Sequence, residues 1–270
     1  MISRAGRFRS SALGKVKNVV DVYASVGTAP DGKVFTAEGL IGAMDEGGID
    51  RAIISSVSGG LSGQQEANRE AAAACKKYSS RLVCLAWVNP NEGKAALDDV
   101  KACLSQEGFV GLKFHPFLNR FNFNDKAVYP FIRMAEESGV PVLVHTAHDE
   151  FSLPVRALDI AICFPNVPII MGHAGLADGP HHGALNLQTM IMASMVENLY
   201  VDTSWVDPWA LRRGLRFLPP GRVLFGSDAP LGGTEHYIRV LEEIDRQELD
   251  LEVLENILWN SAVKLFKLKF

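Results

Sequence analysis

Four residues with chemistry to offer stand where short apolar runs end. His115 closes FVGLKFH, His145 closes PVLVH, His173 follows VPIIMG and Asp228 follows RVLFGS. A polar group taken from water costs free energy unless it is hydrogen-bonded, so an imidazole at the end of a buried run asks for a reason. Neutral imidazoles beside a carboxylate are the donor types of a zinc site with one open coordination position. They are equally the parts of a general acid–base pair. Lys113, two residues before His115, adds a cation able to polarise a carbonyl.

The elements that must position these groups are legible. Apolar or β-branched runs occur at 18–24, 51–55, 81–88, 109–114, 141–145, 167–172, 198–202 and 222–227. Segments of helical spacing separate them, such as QQEANREAAAACKKY and AVYPFIRMAEESG. Gly47–Gly48, Gly108 and Gly139 fall just past such segments, where a helix wants a left-handed C-terminal residue. Eight strands alternating with helices, with no linker-like shift in composition, predict an α/β fold: a (β/α)8 TIM barrel over residues 18–270. The last periodic stretch, 251–267, is an extra C-terminal helix expected to complete the outer layer. In a barrel of this kind the functional groups come from the C-terminal strand ends. That rule gathers Lys113, His115, His145, His173, Asp202, Ser204 and Asp228 at one mouth, with Asp21, Tyr23 and Ser25 from the first strand. Alternation places Lys113 with His115 on one face, and Asp21 with Tyr23 and Ser25. Asp228 in GSDAP also reads as a helix N-cap, His115 before Pro116 as a turn cap. His173 lies between glycines, a context suited to close backbone approach.

Bulk properties narrow the function. A formal charge of −4 with a pI near 6.0 leaves no electrostatic footprint for nucleic acid and points to a small-molecule substrate. No apolar stretch approaches the ~20 residues of a membrane span. Cys75, Cys84, Cys103 and Cys163 are scattered with no C-x-x-C pair, which fits buried thiols in a reducing compartment and a cytoplasmic location. Residues 1–17 form a basic N-terminal extension carrying Arg4, Arg7, Arg9, Lys15 and Lys17 and no apolar signal core. Arg120, just beyond HPFLN, is placed to hold a substrate carboxylate, whereas His148, His181, His182 and His236 read as loop histidines. Trp205 and Trp209 read by default as core packing. A homo-oligomer is left open.

From about residue 18 the chain resembles the metal-dependent amidohydrolase superfamily, in its amidohydrolase-related, aminocarboxymuconate-semialdehyde decarboxylase-like branch. The carriers are AMDEGGIDRAII, GFVGLKFHP, PVLVHTA, VPIIMGHAG, LYVDTS, RVLFGSDAP and ENILWNSAVKLF, in the family's order. The resemblance implies one divalent metal ion, zinc first, with His145, His173 and Asp228 as ligands or acid–base groups. It also implies a departure, since the family ends its first strand with Asp-x-His-x-His and this chain reads Asp21, Tyr23 and Ser25 there. A phenol ligates only after losing a proton whose ordinary pKa is near 10. Hydrolysis of a small-molecule amide, ester or lactone is therefore expected, with Asp228, His173, His145 and Lys113 catalytic and His115, Tyr23 and Arg120 against the substrate. The alternatives are a decarboxylase of small acids and a metal-free, non-catalytic ligand-binding barrel.

Overall fold

The computed structural model describes residues 10–61, 63–177, 179–231 and 236–269. The described strands are β1 (Val20–Thr28), β2 (Val34–Phe35), β3 (Arg51–Ser56), β4 (Leu82–Val88), β5 (Phe109–Phe114), β6 (Val142–Ala147), β7 (Ile169–Leu176), β8 (Leu199–Asp202) and β9 (Val223–Leu224). They form one curled sheet in the order β2-β1-β3-β4-β5-β6-β7-β8-β9. Every pairing is parallel except that of the short β2 with the end of β1. All eight expected runs are strands of this sheet.

The main helices between them are α1 (Ala37–Gly47), α2 (Gln64–Lys77), α3 (Lys94–Leu104), α4 (Pro116–Asn119), α5 (Tyr129–Ser138), α6 (Pro154–Cys163), α7 (His182–Ala193), α8 (Pro208–Gly214) and α9 (His236–Asp245). Gly48 and Gly139 take the left-handed C-cap conformation expected of them. Helix α3 instead ends at Ser105, and Gly108 serves the following turn.

Two apolar layers follow from the strand period of two. Ile53, Leu85, Leu143, Ile170 and Leu224 point to the inside of the curl with Val20 and Val22. Their neighbours Ala52, Ile54, Cys84, Ala86, Val142, Val144, Ile169 and Met171 face the helices. The C-terminal stretch is one continuous helical run with a π turn inside it. It runs as α10 (Leu251–Glu255), a π turn over Asn256–Asn260 and α11 (Ser261–Leu265). Leu254, Ile257 and Leu258 join the outer layer as expected, but Ala262 and Phe266 pack into the inner one. This stretch plugs the inside of the curl as well as covering it. At the other terminus Leu13 and Val16 lie in the outer core, so the described part of the basic extension is docked. Arg4, Arg7 and Arg9 lie outside the described residues.

The edges of the sheet meet through the segment after β9. Val22 N–H donates to the Phe225 carbonyl (2.9 Å), Ser25 N–H to Ala229 (2.8 Å) and Asp228 N–H to Tyr23 (2.7 Å). Asp21 clasps this seam. Its carboxylate accepts from Ser227 N–H at 3.0 Å, from the Ser227 hydroxyl and from the Tyr237 hydroxyl of α9 at 2.7 Å. Asp21 therefore does not share a face with Tyr23. A register shift between Asp21 and Ala24 breaks the alternation and leaves Tyr23 in the inner layer with Val20 and Val22.

Burial raises the Asp21 carboxyl from 3.8 to about 7, against the opposing effect of its hydrogen bonds. Between those values the folded chain holds this proton more tightly than the unfolded chain. The contribution of the group is thus fullest below pH 4 and is lost as the pH rises to 7. We predict that Asp21→Asn, which never ionises, is most destabilised relative to wild type near pH 4. The deficit narrows toward pH 7, by at most about 1.4 kcal/mol per pH unit, and is flat above it. Denaturant titrations of both proteins across this range check it, and a deficit independent of pH would contradict it.

Candidate active site

The C-terminal strand ends bring together most of the residues singled out in the sequence. Tyr23, turned inward by the shift in β1, lies with its ring against Gly172 of β7. A Cβ at Gly172 would meet Tyr23 Cε2 at 2.6 Å, so a bare backbone is required there. Lys113 of β5 extends its ammonium over the same ring, 3.5 Å from the centroid. The residue is 1% exposed, and Nζ has no hydrogen-bond partner among the described residues. On the other side three rings line up. Trp87 stacks on His115 at 5.7 Å, and His115 on His145 at 4.0 Å and 13°. His115 also caps α4, its Nδ1 accepting from Leu118 N–H, as its place before Pro116 suggests.

His145 and His173 face each other, His173 Nε2 lying 3.0 Å from His145 Nδ1. The Tyr23 hydroxyl lies 3.4 Å from the same Nδ1. Behind them His173 Nδ1 meets Ser204 Oγ at 2.8 Å. The Ser204 hydroxyl donates to Asp202 Oδ1, which also accepts from the backbone of Ser204 at 2.8 Å and of His173 at 3.3 Å. Asp202 Oδ2 is buried with no hydrogen-bond partner among the described residues. Asp228 accepts from the Trp205 indole N–H at 2.8 Å. It is not a helix N-cap, since the next described helix begins at His236. His173, Ala174, Trp205 and Asp228 all have left-handed φ, between 44° and 63°. For residues with a Cβ such a conformation costs on the order of 1–3 kcal/mol each and persists only where the surroundings enforce it.

Burial governs the electrostatics. It lowers the Lys113 ammonium to about 7, against the pull of Asp202 and Asp228. It raises Asp202 to about 6 and Asp228 to about 7. Burial and then the Lys113 charge push His145 down to about 3, and His115 and His173 also lie well below their ordinary range. The three imidazoles are neutral at physiological pH.

Other residues fall elsewhere. Arg120 is exposed and sits 5.7 Å over the Phe151 ring, at the rim. The His148 backbone N–H bonds to Leu176. His182 ties the loop after β7 to the Trp205 carbonyl, and the side chain of His236 lies outside the described residues. Trp205 was the least expected member of the site. Its tryptophan neighbour and apolar context suggest packing, and only the left-handed backbone at 205 turns the indole N–H onto Asp228.

Both nitrogens of His173 are hydrogen-bonded, His145 Nδ1 is taken by His173, and one oxygen of Asp228 by Trp205. That leaves His145 Nε2 and one Asp228 oxygen, fewer than the three protein ligands of a catalytic zinc. Among the described residues no three His, Cys, Asp or Glu side chains are grouped to hold an ion. Tyr23 and Ser25 supply no imidazole, and the Lys113 ammonium occupies the space over Tyr23. The residues as arranged do not fit the metal site expected of His145, His173 and Asp228.

Residues 54–268 match the model of the family described as Amidohydrolase, and the chain belongs to that family of enzymes. Among solved structures it is similar to 5-carboxyvanillate decarboxylase from Novosphingobium aromaticivorans in complex with manganese and 4-hydroxy-3-methoxy-5-nitrobenzoic acid. There 16% of residues are identical over 93% of this chain and 96% of that one, with a TM-score of 0.73. It is also similar to 2,6-dihydroxybenzoate decarboxylase from Rhizobium, at 17% identity over 93% and 99% with a TM-score of 0.72. A probable 2-pyrone-4,6-dicarboxylic acid hydrolase from Acinetobacter baumannii with bound citric acid matches at 18% over 93% and 100%, with a TM-score of 0.69. A divalent metal is what such a family implies, and manganese belongs to the first of these proteins. At these identities the likeness speaks for the fold.

Two outcomes are expected. Protein purified without chelator carries well under one equivalent of zinc, manganese or iron by elemental analysis, and EDTA leaves its melting temperature unchanged. A stoichiometric metal lost in His145→Ala would contradict this. Gly172→Ala, which pushes on the Tyr23 ring, lowers stability by about 1–3 kcal/mol, and Tyr23→Leu in the same chain recovers part of it. Thermal unfolding of the three variants reads both effects.

Proposed function

We propose that the chain is a (β/α)8-barrel enzyme that adds water to the carbonyl carbon of a small-molecule amide, ester or lactone. The carrying observation is a buried carboxylate, Asp228, that feels the charge of a buried ammonium, Lys113, which has no hydrogen-bond partner among the described residues. Seam hydrogen bonds between β1 and residues 225–229 support the closed barrel.

In this reading the substrate carbonyl oxygen accepts from Lys113 Nζ, which stabilises the negative charge that develops as water adds. Asp228 takes the proton from the attacking water and returns it to the leaving oxygen or nitrogen as the C–O or C–N bond breaks. A carboxyl held near 7 by burial suits both transfers. His145 and His173, whose basicity burial lowers, orient the water rather than deprotonate it. His115 and Tyr23 wall the site, and Arg120 at the rim meets an anionic substituent. No step passes through a metal. A second reading, decarboxylation of a small unsaturated acid, rests on the same ammonium, whose missing acceptor a substrate carboxylate would supply.

The test is a turnover screen of small esters, lactones, amides and unsaturated acids, with acid release and CO2 followed separately. Asp228→Asn and Lys113→Met are each expected to reduce kcat by about 10²–10⁴-fold while the melting transition is retained. Unchanged turnover in Asp228→Asn removes Asp228 as the proton carrier. Release of CO2 without hydrolysis selects the second reading.

A further inference from the structure

Hydrogen-bond directions across the strand ends form a chain with only one consistent orientation. Asp202 as a carboxylate has no proton to give. Its Oδ1 already accepts two backbone N–H groups, and the single proton of the Ser204 hydroxyl goes to it as well. Ser204 Oγ is then an acceptor toward its other neighbour, so His173 Nδ1, 2.8 Å away, carries a proton and donates it. A neutral imidazole with Nδ1 protonated has a bare Nε2. His173 Nε2 therefore accepts, and the donor facing it at 3.0 Å is His145 Nδ1–H. The Tyr23 hydroxyl oxygen, 3.4 Å from that nitrogen, is on the accepting side of the same N–H.

We infer that Asp202 and Ser204 set the tautomers of both buried imidazoles, so that His145 presents a bare Nε2 as an acceptor at the strand ends. The proton held on one ring nitrogen decides what the other can do, and here that decision is made three residues away. His145 takes no hydrogen bond on Nε2 from any described residue, and its side chain keeps 8% of its surface exposed. What it meets must be a donor: a water, a hydroxyl or an N–H. Asp202 and Ser204 are thus positioning residues, acting through His173 on a ring they do not touch. The tautomers follow from the hydrogen-bond directions of neutral rings beside an ionised Asp202. Only their use, holding the attacking water by its proton, rests on the hydrolytic reading.

The experiment is two-bond 15N–1H correlation spectroscopy of the full chain, 15N-labelled, at pH 8, where Asp202 is ionised. His145 and His173 signals are identified by their loss in His145→Gln and His173→Gln. Both residues are expected to show a protonated Nδ1 and an unprotonated Nε2. In Ser204→Ala the His173 Nδ1–H loses its acceptor, and the Nε2 signals of both rings move toward the protonated region. Ser204→Thr, which keeps the hydroxyl, restores the wild-type pattern. A protonated Nε2 on His145 in wild type overturns the inference. So does a wild-type pattern that persists in a folded Ser204→Ala. If that variant does not fold, the wild-type and Ser204→Thr spectra decide. None of these readings needs turnover, so a failed activity screen and a failed tautomer assignment remain separate results.

Discussion

A lysine ammonium taken out of water must be surrounded by groups that tolerate its charge, and the strand ends are arranged on that requirement. Among the described residues Lys113 has no hydrogen-bond acceptor, and it meets the π face of Tyr23 at 3.5 Å and the fields of Asp202 and Asp228. A cation over an aromatic face gains roughly 2 kcal/mol or more when desolvated, which is less than a buried ion loses on leaving water. The residual cost appears as an ammonium pushed down to about 7 and carboxyls pushed up to about 6 and 7. The same charge helps keep His145, His115 and His173 neutral. One buried cation thus determines whether its neighbours are charged, and a ligand able to accept from Nζ relieves the least satisfied group in the site.

That arrangement depends on the seam between the two edges of the sheet. Asp21 holds Ser227 and Tyr237, and Asp228 is hydrogen-bonded through its backbone to Tyr23. Asp228 and Tyr23 therefore move together, although 204 residues of chain lie between them. The left-handed backbone at His173, Trp205 and Asp228 shows what the seam and the β7 and β8 ends enforce. Strain concentrated in residues that present polar groups to one another is common where side chains must be aimed rather than merely packed.

Membership of the amidohydrolase family and the likeness of fold to metal-bearing decarboxylases set a contrast with this donor set. The barrel-like frame is shared with such proteins in outline. In this chain an aromatic ring, a serine and a buried ammonium stand where the resemblance puts imidazoles and a metal. A fold of this kind permits different chemistry at its strand ends because the strands fix positions while the end residues supply reactivity.

The strands, the helices between them and the set of polar residues at strand ends were legible in the chain itself. Periodicity is local, and a strand of alternating or continuous apolar residues has little choice of environment. Lys113, His115, His145 and His173 could be assigned to one end because the strand rule needs only the order of elements. The role of Asp21 could not, because a single register shift in β1 separates it from Tyr23, and backbone register depends on the partner strand. Nor could the Trp205 contact with Asp228, or the insertion of Ala262 and Phe266 into the inner layer. The same holds for the engagement of both His173 nitrogens, which withdraws this residue from metal ligation. By itself the sequence determined which groups are present and at which strand end each stands. Only the tertiary structure decided which of them face one another, because hydrogen-bond partners and charge states are set by distances across the curl that no local pattern encodes.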